Sequence, residues 1–184
     1  MKRVILLVSG FSKSGKDTFA DFFVKQRNFK KLAFAEKLKS FTHKKYSFPE
    51  KLCYTQEGKN TIVFKNKTVR DLLISDAKIL RWEDPDIFVN YVTNKIDTVY
   101  PYNHIVISDF RNQNEYSGIS KHYNVVHDDI YTIRINRNNI TPSECISEHN
   151  LDKFKFDITI DNNFDTVEEF YDYLNKSVAL KFIN

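Results

Sequence analysis

The chain is 184 residues long, with 41% hydrophobic and 15% aromatic residues. That is enough apolar surface to offset the entropy of ordering one compact domain, it excludes disorder along the whole chain, and it leaves little room for two domains. The formal net charge of +4 is unevenly placed: residues 1–70 carry 17 Lys/Arg against 5 Asp/Glu, and residues 71–184 carry 11 against 19. The basic first segment is compatible with a nucleic-acid surface, with a field that steers anions to a phosphate site, or simply with solvated lysines. Cys53 and Cys145 are far apart and in no C-x-x-C pattern, so neither a disulfide framework nor a cysteine zinc site is suggested, and a reducing compartment fits. The apolar stretch Val4–Val8 is too short for a signal sequence or a membrane span, and the expectation is a cytoplasmic protein with no membrane partner.

Val4-Ile5-Leu6-Leu7-Val8 is continuously apolar, as expected for a strand buried on both faces of a parallel sheet. A glycine-rich turn follows. Phe19, Ala20, Phe22, Phe23 and Val24 then repeat at helical spacing from Lys16 to Gln26. Lys31–Phe34 reads as a short strand, and Ala35–His43 as a helix whose apolar face includes Leu38 and Phe41. Tyr46–Lys67, with Pro49 and Gly58, is expected to be an irregular insertion. Val69, Leu72, Leu73, Ala77 and Leu80 predict a helix capped by Thr68, and Asp84-Pro85 opens another through Phe88, Val89, Val92 and Ile96.

His104–Asp109 reads as a second core strand ending in an acid, followed by a helix over Gln113–Lys121. Tyr131–Asn136 and Phe156–Ile160 are further strands. Val167–Leu174 is a last helix, with Asp165 or Thr166 as its cap and Glu168 and Glu169 in the first turn, where the helix dipole favours anions. Strands alternating with helices predict a doubly wound α/β sheet with ligands at the carboxyl ends of its strands.

Gly10-Phe11-Ser12-Lys13-Ser14-Gly15-Lys16-Asp17-Thr18 has Gly-x-x-x-x-Gly-Lys spacing between a predicted strand and a predicted helix, the context a phosphate-binding loop requires. Gly10 and Gly15 let the backbone wrap closely, and the amides of Ser12, Lys13 and Ser14 can form an anion nest. Lys16 can reach the β- and γ-phosphates of a nucleoside triphosphate. The Ser/Thr that usually follows the lysine and binds magnesium is Asp17 here. Mg2+ is therefore expected on Asp17 directly or through water, with Thr18 contacting a phosphate. An incidental glycine turn would not explain the spacing.

After the second core strand, Ser108-Asp109-Phe110-Arg111-Asn112-Gln113-Asn114-Glu115 sets an acid, an arginine and a second acid at a strand's carboxyl end. Asp109 can hold magnesium, its waters or the acceptor, and Arg111 can bridge donor and acceptor phosphates. With the phosphate loop, this segment resembles the deoxynucleoside monophosphate kinases of bacteriophages and large DNA viruses, whose corresponding stretch runs hydrophobic-Asp-x-Arg-x-x-x-Glu. The resemblance extends to "SGFSKSGKDT" at the start, "FAEKLK" at Phe34–Lys39, "RDLLISDAKILRWEDPDIFV" at Arg70–Val89 and "SEHNLDKFKFDITIDNN" at Ser147–Asn163. Arg70, Arg81 and Asp84-Pro85-Asp86 match the family's second helical segment, whereas Ile74 and Ala77 stand at its Gln and Gly positions.

The resemblance implies a single P-loop kinase domain over residues 1–184, a three-layer α/β/α sandwich on a mainly parallel five-stranded sheet. It also implies an acceptor-binding helical insertion at about 35–100 and a short lid at about 136–150. It implies ATP with Mg2+ as cofactors and transfer of the γ-phosphoryl group to a deoxynucleoside monophosphate. Lys16, Asp109, Arg111 and Arg137 are then the catalytic set, with Arg137 preferred over Arg134 as the lid arginine. Lys37, Arg70, Arg81, Asp109, Arg111 and Glu115 are expected around the acceptor.

Trp82 and Tyr54 are candidates for stacking on a base, although core packing is the ordinary role of aromatics in such a chain. The histidines lack metal-site spacing, and a phosphate acceptor needs no general base. A more distant resemblance, to the phosphomevalonate kinases of animals, rests on the "SGK" loop, the "SD-x-R" strand end and the "SE" segment, and implies an isoprenoid phosphate acceptor instead. A nucleotide-dependent nucleic-acid-binding module is the third alternative, but the chain has no recognition motif for it; stable nucleic-acid binding is not expected, and a homodimer is compatible with everything above.

Overall fold

The structure, a computed structural model, describes residues 2–123, 128–140 and 149–177. Five strands form one sheet: β1 (Arg3–Ser9), β2 (Lys30–Leu32), β5 (Ile105–Ile107), β6 (Asp128–Asn136) and β7 (Ile158–Asp161). Their order is β2-β5-β1-β6-β7 and every neighbouring pair is parallel, with β1 at the centre. The uninterrupted apolar run in β1 follows from that position, since both of its faces are covered. Val4, Leu6 and Val8 pack on one side against α1 (Lys16–Arg27) and α7 (Val167–Ser177), through Phe19, Phe22, Phe23, Phe170 and Leu174. Ile5 and Leu7 pack on the other against α5 (Ile87–Val99) and α6 (Gln113–His122), through Phe88, Val92, Ile96 and Ile119. The three-layer α/β/α sandwich is therefore as expected.

The connection from β1 runs over β5 to β2, whereas that from β5 runs the opposite way to β6. The carboxyl ends of β1 and β5 thus flank the point where the winding reverses, which is where such sheets open a crevice.

Between β2 and β5 lies the insertion: α2 (Ala35–Tyr46), a 3-10 turn at Glu50–Cys53, α3 (Gln56–Lys59), the hairpin β3 (Ile62–Phe64) and β4 (Lys67–Thr68), and α4 (Val69–Glu83). It has a small core of its own in Phe48, Cys53, Val69 and Leu72. The stretch expected to be irregular is therefore ordered, in pieces too short to show a period. The Thr55 hydroxyl caps α3 by accepting from Gly58 N–H at 2.9 Å, and Lys65 and Asn66 both take positive φ, as a tight hairpin turn demands. Thr68 and Asp71 form a reciprocal capping box that starts α4 where the sequence places it.

Three expectations need correction. Phe41 is 36% exposed while its neighbour Thr42 is fully buried, so α2 turns a different face inward. Asp84-Pro85 precedes α5 rather than opening it: the Asp84 carboxylate accepts from Asp86 N–H at 2.9 Å, and the helix starts at Ile87. The strand expected from Phe156 begins at Ile158. Most of the lid segment, residues 141–148, and with it Ser147, lies outside the described residues. Among the described residues, no helix is long and apolar enough to cross a membrane.

Candidate functional site

The turn from β1 to α1 is a backbone cradle. Gly10 has φ 151° and Gly15 φ 100°, and Lys13 also takes a positive φ of 67°. A Cβ on Gly10 would collide with the Ile135 carbonyl oxygen, and one on Gly15 with the side-chain amide of Asn162, so both positions are held open by neighbouring chain as well as by dihedral angle. The Lys16 ammonium donates to the Phe11 carbonyl at 2.7 Å and so folds back across the loop. Helix α1 begins at Lys16 with Gly15 as its cap. The first N–H groups of a helix have no partner within it, so this end faces the turn with donors and the positive end of the dipole. Thr18 is partly buried in that first turn.

Asn162, just past β7, falls in the Ser147–Asn163 stretch of the resemblance, where it is given no role. It is buried, its amide donates to the Ser14 carbonyl at 2.9 Å, and it props the loop from behind. Only the pairing of β7 at the far edge of the sheet brings it there.

The loop opens on a cleft of about 900 Å³. Of the residues expected to form the site, Ser12, Lys13, Lys16, Asp17, Arg81, Asp109, Arg111 and Glu115 line it together, although they come from well-separated segments of the chain. Gly10, Ser14 and Gly15 lie behind it as the loop's frame. Lys37 is exposed and outside the lining; Lys39, two positions on and so about 200° round the helix, takes its place with Ala35 and Leu38. Counting i, i+3, i+4 from Ala35 would have selected it. Arg70 is exposed and donates to Gln56 Oε1 at 2.7 Å, so it meets the cleft through Gln56, which lines it. Lys31, Glu36, Lys59, Ser108 and Tyr54 also belong to the polar wall. Trp82 is 86% exposed and does not line the cleft.

Neither candidate lid arginine, Arg134 or Arg137, is among the residues that line the cleft. Arg137 is exposed, with its guanidinium 3.4 Å from the Phe164 carbonyl, and does not belong to the lining. Arg134 instead lies 4.6 Å over the ring of Phe11 and donates to Ser9 Oγ at 3.3 Å, against the phosphate loop itself.

Both oxygens of Asp109 accept backbone N–H groups, from Phe34 at 2.8 Å and Ala35 at 2.9 Å. The carboxylate thus pins the start of α2 to the end of β5. Burial pushes its pKa up, partly offset by those two amides and by Arg111 and Lys39. Glu115 has a similar role in the first turn of α6: it is 3% exposed and accepts from Arg111 N–H at 2.8 Å, Asn112 N–H at 3.0 Å and the Asn112 side-chain amide at 2.7 Å. It shapes the backbone that carries Arg111, and burial raises its pKa to about 7 against the pull of those donors.

Asp17 accepts from Ser108 Oγ at 3.1 Å and lies 2.9 Å from the Lys31 ammonium, both through Oδ1. Loss of hydration pushes its pKa up, but Lys31, Ser108 and Lys16 outweigh this and hold it below the usual carboxylate range. On the far wall, burial and the charges of Lys39, Arg70 and Arg111 lower the pKa of Lys59. These cations are thus close enough to repel one another, and neither Lys39 nor Lys59 has a carboxylate partner among the described residues. The lining as a whole carries seven Lys/Arg against four Asp/Glu, a balance that favours an anionic ligand.

No family model matches the chain, and no curated protein matches it. Solved structures do. TT1252 from Thermus thermophilus is 12% identical over 100% of both chains with a TM-score of 0.56, and dephospho-CoA kinase from Campylobacter jejuni is 12% identical over 98% of both with a TM-score of 0.51. The chain shares its fold with these two structures. In this fold the cleft lies at the crevice predicted by the reversal of winding, with the glycine loop on one wall and the insertion on the other. At 12% identity the likeness extends to architecture alone, and the chemistry rests on the cleft's own residues.

Magnesium fits the glycine-loop side of the cleft in one way. Asp17 has a second oxygen without a partner among the described residues and a side chain 78% exposed at the cleft, which suits an ion that keeps most of its water and takes one carboxylate plus phosphate oxygens. Asp109, with both oxygens already on backbone amides, suits contact through water only.

Proposed function

We propose that the protein is an ATP-dependent kinase that passes the γ-phosphoryl group to the phosphate of a deoxynucleoside monophosphate. One observation carries this: the glycine loop with Lys16 faces, across one cleft, a second group of cations, Lys39, Lys59 and Arg111, of which Lys39 and Lys59 have no ion-pair partner among the described residues. Two polyanions are what such a cleft would draw together. Its volume of about 900 Å³ is near the top of the range for small-ligand sites and leaves room for a donor and an acceptor.

In this scheme an oxygen of the acceptor phosphate attacks the γ-phosphorus, the bond to the β,γ-bridging oxygen breaks, and ADP leaves. The acceptor is already ionised near neutral pH, so no side chain need take a proton. Catalysis then comes from position and charge. Loop amides and Lys16 hold the β- and γ-phosphates, Arg111 stands between the two walls to bridge donor and acceptor, and Lys39 and Lys59 seat the acceptor's phosphate. Arg70 orients Gln56, and Asp109 and Glu115 keep the α2 start and the Arg111 backbone in place. Magnesium, bound with the triphosphate at Asp17, would add charge neutralisation at the leaving β-phosphate.

The acceptor's body would lie against Leu38, Leu73, Ile74, Ala77 and Phe88, the apolar stretch of the lining, with Tyr54 near its edge. Ile74 and Ala77 are the positions where the nucleotide kinase pattern has Gln and Gly. Their place in the cleft favours a second candidate, an isoprenoid phosphate, for which an aliphatic wall is the better match. ADP release measured with ATP and Mg2+ across deoxynucleoside monophosphates, ribonucleoside monophosphates and phosphomevalonate separates the two. Turnover confined to phosphomevalonate would replace the first substrate by the second, and turnover with none would remove both.

A further inference from the structure

Asp17 stands where the glycine-lysine loop ordinarily continues with a hydroxyl residue, so a carboxylate lies beside the place where a triphosphate would sit. At about 5 Å and a surface-like effective dielectric, like charges weaken binding by a factor of roughly ten or more. Three features around Asp17 bear on how that repulsion is met. Lys31, from β2, brings its ammonium to 2.9 Å from Asp17 Oδ1 and 3.0 Å from Asp21 Oδ1. Asp17 and Asp21 are one helical turn apart on the same face of α1, which is why one cation spans both. Lys31 itself belongs to the cleft wall and is only 31% exposed, so its charge is less screened than that of a free surface lysine.

We propose that Lys31 is a built-in counter-cation of the donor site: it neutralises Asp17 while no metal is bound, and it stays on Asp21 when Asp17 turns to hydrated Mg2+. The proposal rests on the loop being an ATP site. It makes nucleotide binding without metal depend on Lys31 and binding with metal nearly independent of it. Lys31 is thus a positioning residue, acting on metal-free nucleotide through Asp17.

Calorimetric titration of the full chain with ATP, once in EDTA and once in excess Mg2+, tests this. Lys31→Met should weaken binding at least tenfold in EDTA and less than threefold in Mg2+, and Lys31→Arg should behave as wild type. Asp17→Ser should strengthen metal-free binding, and adding it to Lys31→Met should recover the tenfold loss. Asp17→Ser leaves Lys31 in place and keeps the test decisive even if Lys31→Met folds poorly, since no gain in its metal-free binding would overturn the proposal. Equal loss with and without metal, no loss at all, or a double variant no better than Lys31→Met would overturn the counter-cation role while leaving the ATP site standing. Failure of the wild type to bind ATP under either condition would overturn both.

Discussion

The two walls of the cleft are built on different principles. The proposed donor wall is main chain: two glycines, a helix start and a buried asparagine, all anchored on the central strand and on the large core shared by α1 and α7. The proposed acceptor wall is side chains, Lys39, Lys59, Gln56 and Arg81, carried on an insertion with a satellite core of four buried residues, and Arg111 stands between the two. A backbone site is fixed once the fold is fixed, whereas a side-chain site depends on each rotamer and on how the insertion sits. The donor wall should therefore fail all at once when damaged, and the acceptor wall by degrees.

The sharpest break comes at Lys16. If the donor wall is as described, Lys16→Ala lowers kcat by at least about 10²-fold, the scale of losing one contact to charge in the transition state. Steady-state ADP release measures this, with circular dichroism to show an intact fold; near-normal turnover would take Lys16 out of the chemistry. Next comes the acceptor wall, where Lys59→Ala should raise KM for the acceptor by about 10-fold or more, as expected for one charge-assisted contact, and leave KM for ATP within about twofold. Loss on the ATP side instead would erase the distinction between the walls.

Asn162→Ala should do the reverse on a smaller scale. Losing one buried hydrogen bond to the Ser14 carbonyl costs about 1 kcal/mol, so KM for ATP rises by roughly fivefold while the acceptor's stays put. Restoration by Asn162→Asp is not expected, because the missing group is the donor.

The smallest effects concern pH, and here two regions of the molecule have opposite signs. His104, at the amino end of β5, accepts from Val4 N–H at 2.9 Å and stacks on Phe29; burial lowers its pKa. Its depressed value means that it contributes stability above the ordinary histidine pKa of 6.5, lost as pH falls through the folded value. Glu115 has its pKa raised from 4.5 to about 7, so between those values the folded state holds the extra proton. Its share of stability is present below the lower value and is lost as pH rises to the upper one. Each slope is at most about 1.4 kcal/mol per pH unit. Between about pH 5 and 7, urea midpoints of His104→Gln should therefore fall more steeply with rising pH than those of wild type, and midpoints of Glu115→Gln should fall more steeply with acid. Parallel pH profiles in all three proteins would refute both assignments.

How far the molecule is legible from its residues follows the same division. β1, α1, α4 and α6 fall within a residue or two of where periodicity and capping place them, because each is long enough for its period to show or ends in a recognisable cap, such as the Thr68–Asp71 box. The insertion from Tyr46 to Lys67 is opaque because its pieces are one turn or three residues long, and their stability comes from packing on Phe48 and Cys53. Asp109 reads as a chemical group in the sequence, yet its oxygens are occupied in holding α2, a use that depends on where another segment's amides end up.

What the sequence by itself determined is the glycine loop: glycines at fixed spacing between a buried strand and a helix can bend the main chain in few ways, and local covalent geometry settles the result. What only the tertiary structure decided is which side chains surround the cleft and the loop. Lys39 rather than Lys37, Lys59 from an unreadable stretch, Arg134 rather than Arg137 and Asn162 from the far strand are selected by packing between segments distant in the chain. No local rule records that choice, because a side chain's direction depends on the face its element buries, and the rest of the fold sets that face.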